Sequence, residues 1–307
     1  MKSLLKLVPC LIPLLASGQL AFQPNESPPG MRPLTDMSPS ERYKGEQGGL
    51  YEKGLNTPPE PLRKAAMAEV AKIQPLDADG KMLRNGRIAL VSISMSNATQ
   101  EFSVFKRIAD ADPAKSSFVT IIDCAQGGQA MAEWVNPNGG PWREADRRIA
   151  AAGISPNQVQ AAWVKIANKM PQGDLATHGK KLQDDTTAVI ADAKARFPNL
   201  QMVYLSSRIY GGYASSALNP EPYAFEGGLV CRWLIRDQSM KGPVLVWGPY
   251  LWADGNTPRK GDGLVWRRED LGPDGTHPSE SGRMKVANML LNFFKTDTLA
   301  KGWFVGR

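Results

Sequence analysis

From Arg87 onward the apolar positions of this chain alternate between two textures. Short, nearly unbroken runs rich in β-branched and aromatic residues stand at 87–94 (RIALVSIS), 117–123 (SFVTIID), 159–167 (VQAAWVKIA), 200–207 (LQMVYLSS) and 243–250 (PVLVWGPY). Such runs predict strands buried on both faces. Between and after them, apolar residues recur at helical spacing over 101–109, 141–152, 175–197, 226–240 and 278–294. Ahead of the first strand, Leu62, Ala66, Val70 and Ile73 mark another helix, with Pro61 suited to its first turn. Strands alternating with helices imply right-handed crossovers, hence an α/β fold: a three-layer α/β/α sandwich around a mainly parallel five-stranded sheet. No repeat interrupts the rhythm, and residues 61–307 are expected to form one domain.

Upstream the periodicity is lost. Residues 19–60 are rich in Pro, Gly and polar side chains and read as an extended arm laid against the domain, with Tyr43 and Tyr51 as its anchors. Residues 1–18, MKSLLKLVPCLIPLLASG, place Lys2 and Lys6 around a short apolar run, and Ala16 and Gly18 are spaced for cleavage. The run is too short to span a bilayer and Pro9 and Pro13 interrupt it, so it reads as a signal peptide. The expected location is secreted or periplasmic, with no membrane insertion after cleavage.

Composition adds limits. The chain has 307 residues, 42% hydrophobic and 22% charged, which excludes a disordered or fibrous protein. Its net charge of +7 is not gathered into a Lys/Arg block, so no nucleic-acid partner is expected. Loss of the leader removes Cys10, leaving Cys124 and Cys231 either to pair or to stay as buried thiols.

In a parallel sheet of this kind, chemistry gathers beyond the carboxyl ends of the strands. The turn DGTHPSESG (274–282) precedes the last helix and holds one of only two histidines. Asp274 bonded to one ring nitrogen of His277 would leave the other free as a base. Ser96, at the end of SISMSN, is the candidate nucleophile. Gly127 and Gly128 in AQGGQ allow close approach of backbone N–H groups to an oxyanion, and Asn168, beyond the third strand, offers a side-chain donor.

Taken together, SMSN, CAQGGQ, Asn168 and DGTHPSESG resemble the blocks of the SGNH hydrolase superfamily, the GDSL esterases, over roughly residues 85–295. The serine block is most similar to the Gly-Gln-Ser-Asn variant of the acetylesterase-like branch. Ser94 stands where the family has Gly, and Ile166 stands at the Gly of its Asn block, which leaves Lys165 as an alternative polar group at that strand end. The resemblance implies a flavodoxin-like fold and a serine esterase with Ser96, His277 and Asp274 as its triad. It also implies an oxyanion hole of Ser96, Gly128 and Asn168.

Substrate contacts are expected from Asn97, Gln129, Arg208, Tyr210, Tyr250 and Trp252, all at strand ends. His178 reads as solvent-facing, and 266–270 (WRRED) as a salt-bridged loop. No cofactor is expected, and two widely separated histidines give no metal set. The function expected is hydrolysis of O-acyl, chiefly acetyl, esters of a carbohydrate or similar polar substrate. The alternatives are a non-catalytic carbohydrate-binding or cell-envelope protein on the same fold, and a lipase-like esterase. The oligomeric state does not follow from the sequence.

Overall fold

The apolar runs form the expected strands. The computed structural model describes residues 30–239 and 242–306, so the signal-like segment 1–18 lies outside the described residues. Strands β3 (Ile88–Ile93), β4 (Val119–Asp123), β5 (Val159–Lys165), β6 (Met202–Ser206) and β7 (Val244–Trp247) make one sheet in the order β4-β3-β5-β6-β7. Every pairing in it is parallel. β3, β5, β6 and β7 are buried at every position, which accounts for runs without polar alternation. Two further strands, β1 (Arg42–Tyr43) and β2 (Glu46–Gln47), pair as a small antiparallel ribbon in the arm.

The helices are α1 (Glu60–Val70), α2 (Ser96–Asp110), α3 (Met131–Trp134), α4 (Gly140–Ala151), α5 (Lys180–Arg196), α6 (Tyr223–Asp237), α7 (Glu280–Thr296) and α8 (Lys301–Phe304). α2 and α7 pack together, joined by the stacked rings of Phe105 and Phe294 with centroids 5.4 Å apart. Phe102 of α2 stacks on Trp163 of β5 at 5.4 Å, which fixes α2 on the sheet. α5 packs against α6, and right-handed crossovers place that pair on the opposite face. From β3 the chain crosses to β4 on one side and then returns past β3 to β5 on the other, so the direction of winding across the sheet reverses between β3 and β5 while all strands stay parallel. Ligands favour such a switch point.

The boundaries differ from expectation in informative places. α2 starts at Ser96, five residues ahead of the expected 101. The helix expected over 175–197 is split into a π-type turn, Leu175–Gly179, and α5. Pro278 is not inside the first turn of α7; Ser279 caps that helix by accepting the Gly282 N–H at 3.4 Å, and Pro278 stands just before the cap.

The arm is pinned by specific bonds. Leu34 is fully buried, and Tyr43 and Tyr51 are buried. The Tyr43 hydroxyl donates to Glu226 of α6 at 2.6 Å, with Lys44 on the same carboxylate at 2.8 Å. Arg232 of α6 donates to the carbonyls of Gln47, Gly48 and Gly49.

His178 corrects the sequence reading. It is 6% exposed, its ring pairs with Glu226 through Nε2, and Tyr223 lies edge-on at 4.7 Å. Its partners come from α6, 45 residues or more along the chain, which a local pattern does not reveal. In the 266–270 loop, Trp266 is wholly buried, while Asp270 pairs with Lys285. Cys124 and Cys231 are free, buried thiols, and burial pushes both thiol pKa values up.

Candidate active site

β3 ends at Ile93, and only Ser94 and Met95 separate it from α2, whose first residue is Ser96. That short link puts the Ser96 hydroxyl at the carboxyl edge of the sheet and its N–H in the first turn of a helix, where backbone donors lack intrahelical partners. The link is stitched down. Ser94 Oγ donates to the Lys165 carbonyl of β5, and the Ser94 carbonyl accepts from Gln126 N at 3.0 Å and Trp134 Nε1 at 3.2 Å. A serine therefore sits where the resembling family has Gly because its hydroxyl has a buried partner across the switch point.

The second half of the site is the turn before α7. Gly275 has φ +63°, and a Cβ there would lie 1.7 Å from the Tyr213 carbonyl oxygen, so only glycine fits. The Asp274 carbonyl accepts Ser215 N and Oγ at 3.0 and 3.1 Å, and Gly272 N donates to the His277 carbonyl at 2.7 Å. This frame presents Asp274 and His277 toward Ser96.

The three side chains meet as a relay. Ser96 Oγ lies 2.8 Å from His277 Nε2, and His277 Nδ1 lies 2.5 Å from Asp274 Oδ2. Asp274 Oδ1 also accepts the N–H groups of Thr276 and His277, both at 3.0 Å. Burial alone would raise this carboxyl, but the His277 ring bond and the two backbone bonds outweigh it and hold it below its ordinary range. Asp274 is thus an anion suited to support a charged imidazole.

Beside the relay lies a cavity of about 200 Å³ lined by Met95, Ser96, Asn97, Gly128, Ala167, Asn168, Lys169, Arg208, Leu218, Asn219 and His277. Larger hollows occur elsewhere, among them one of about 590 Å³ beside α5 and α6, but their linings contain no histidine. Volume alone would point to the wrong place; the serine–histidine contact picks out the smaller cavity.

Gly128 has φ +75° and is exposed in the turn after β4, and Lys169 Nζ donates to its carbonyl at 3.0 Å. Asn168 lines the cavity, but its amide is already engaged: Oδ1 accepts Ala132 N at 2.9 Å and Nδ2 donates to Asp185 at 2.6 Å. An amide nitrogen carries a second N–H. Lys165 is removed from the list of oxyanion donors. It is wholly buried, with Nζ on both oxygens of Glu101 at 2.7 and 2.6 Å. Burial pushes the Glu101 carboxyl up and the Lys165 ammonium down to about 8, while each charge pulls the other back. The pair ties α2 to the end of β5.

Of the expected substrate contacts, Asn97 and Arg208 line the cavity, and Gln129, Tyr210, Tyr250 and Trp252 do not. Gln129 belongs to the turn, where its carbonyl accepts the Trp134 indole N–H at 3.1 Å. Tyr210 is 2% exposed and packs edge-on against Tyr213 at 5.1 Å. The Tyr250 hydroxyl accepts the Leu34 N–H at 3.2 Å, and Arg259 covers its ring. Trp252 is fully buried and donates to Glu221 at 2.7 Å. These aromatic rings are buried in the core under the loops and do not line the cavity beside Ser96.

Sequence reasoning missed Asn219, Leu218 and Thr276. The Asn219–Pro220 pair signals a turn but not its direction. Thr276 enters the site through its carbonyl, which accepts Asn97 Nδ2 and Arg208 Nη2 and which no residue type announces.

No family model and no curated protein matches the sequence. Solved structures do resemble it. A catalytic mutant of an acetylxylan esterase from Geobacillus stearothermophilus has a TM-score of 0.43 and 12% identity, covering 72% of this chain and 97% of that one. The periplasmic domain of a lipopolysaccharide acetyltransferase from Salmonella ser. Paratyphi A gives 0.39 and 12%, covering 78% and 97%. A GDSL-like lipase from Bacteroides thetaiotaomicron gives 0.37 and 10%, covering 75% and 95%.

Proposed function

We propose that this chain is a serine esterase that hydrolyses O-acyl esters, chiefly acetyl esters, of a carbohydrate or similar polar alcohol. The observation that carries the reading is the continuous contact Ser96 Oγ–His277–Asp274, with bonds of 2.8 and 2.5 Å. Ser96 Oγ attacks the ester carbonyl carbon while His277 Nε2 takes its proton. The carbonyl oxygen becomes an oxyanion received by the N–H groups of Ser96 and Gly128 and by the second amide N–H of Asn168. His277 then protonates the departing alcohol, leaving an acyl-Ser96 ester. Water, deprotonated by His277, attacks that ester, and His277 returns the proton to Ser96 Oγ as the acid leaves, restoring free Ser96. Asp274 stays ionised and supports the imidazolium in both halves.

A cavity of about 200 Å³ supports a short acyl group. The reading includes export, supported by the signal-like residues 1–18. The assembled relay favours catalysis over a purely binding role, since a binding site has no use for a base held on a serine. The test is turnover of a panel of acetylated sugars and 4-nitrophenyl esters of rising chain length. Acetyl esters are expected to be hydrolysed fastest, and Ser96→Ala to lose nearly all turnover, by about 10⁴-fold or more. Folded protein inactive on every ester would sink the proposal.

A further inference from the structure

We propose that Asn97 and Arg208 are positioning residues for the His277 base and act through the carbonyl of Thr276. This rests on the esterase reading above. Asn97 Nδ2 donates to the Thr276 carbonyl at 2.8 Å, and Arg208 Nη2 donates to the same oxygen at 3.0 Å. Two donors occupy both lone pairs of one carbonyl. Asn97 follows the nucleophile on α2, Arg208 lies two residues beyond β6, and Thr276 immediately precedes His277. Three separate elements of the site therefore converge on one atom.

The neighbouring carbonyls of the turn are held by Ser215 and Gly272, from loops outside α2. The Thr276 carbonyl is instead tied to the helix that carries Ser96, so this bond sets the spacing between nucleophile and base. Asn97, Arg208 and Thr276 are 1%, 3% and 1% exposed, which shields these bonds from water. The contact also costs each side chain something. Asn97 Oδ1 and Arg208 Nε are buried without a hydrogen-bond partner. Packing alone would favour apolar residues at both positions, since an unpaired buried polar atom is unfavourable. The Arg208 charge is tolerated because Glu101, Glu221 and Asp274 lie around it, although burial still lowers its pKa.

The substitutions Asn97→Asp, Arg208→Lys and Arg208→Met test the clamp. Asn97→Asp keeps the shape but turns an acceptor toward the carbonyl, while Arg208→Lys keeps the charge and loses the fork. Active sites are counted by fluorophosphonate titration, kcat and KM are measured with 4-nitrophenyl acetate, and thermal midpoints verify folding. We expect kcat per titrated site to fall about 10- to 100-fold in Asn97→Asp and Arg208→Met, as small misplacements of catalytic groups do. KM should stay within about threefold, and Arg208→Lys should recover part of the loss. Wild-type kcat per site in both Asn97→Asp and Arg208→Lys overturns the proposal, as does a loss confined to KM, which would make these residues substrate contacts. If Arg208→Met does not fold, the other two variants decide. Wild-type protein that neither labels nor turns over fails the esterase reading itself, an outcome visible before any variant is made.

Discussion

Asn168 holds its amide between two elements, taking the Ala132 N–H from α3 and giving one N–H to Asp185 of α5. That bracket orients the second N–H, which the proposed mechanism uses at the oxyanion. Asn168→Ala is therefore expected to lower kcat about 100- to 1,000-fold, with KM much less affected. Steady-state kinetics check this. A variant with a lower thermal midpoint but wild-type kcat would leave Asn168 as a brace only. Residue types at the relay were legible in the sequence because Ser96, Asp274 and His277 stand in short, distinctive strings at strand ends. Tyr250 and Trp252 lie in the core and not at the cavity, for a physical reason. An aromatic residue at a strand end suits a ligand or a core equally, and here distant partners, Leu34 in the arm and Glu221, decide for the core.

At the scale of elements, what matters is how two short links aim the relay. The first is the two-residue step from β3 to α2. The sequence suggested a helix only from residue 101, because SMSNAT is polar and carries no apolar stripe; Ser94 and Asn97 are polar because both bond across to other elements. The second link is the turn at 274–277, where Gly275 approaches the Tyr213 backbone too closely for any side chain. Gly275→Ala combines a positive φ with a backbone clash and is expected to lose at least about 2 kcal/mol of stability. It should also reduce kcat, since Asp274 and His277 move with the turn. Denaturant unfolding followed by kinetics tests both. Wild-type values in both would show that the turn relaxes freely and does not set the geometry.

Across the whole molecule, the strand order β4-β3-β5-β6-β7 brings Ser96, the Gly128 turn and Asn168 to one sheet edge, and the loop before α7 folds the base over them. The alternation of apolar runs revealed the five strands and the layers, because strands buried on both faces leave an unbroken apolar signature. It did not reveal the arm's contacts, which depend on Glu226 and Arg232 in α6, or the place of His178 beside them. Such long-range pairings carry no periodic signal. The proposed mechanism requires that Ser96, activated by His277, form a covalent intermediate. Intact-mass and peptide mass spectrometry after exposure to a fluorophosphonate tests it most directly. A single adduct is expected on the peptide containing Ser96, absent in Ser96→Ala and formed far more slowly in His277→Ala. An adduct on a different serine, or none on folded wild-type protein, would contradict it.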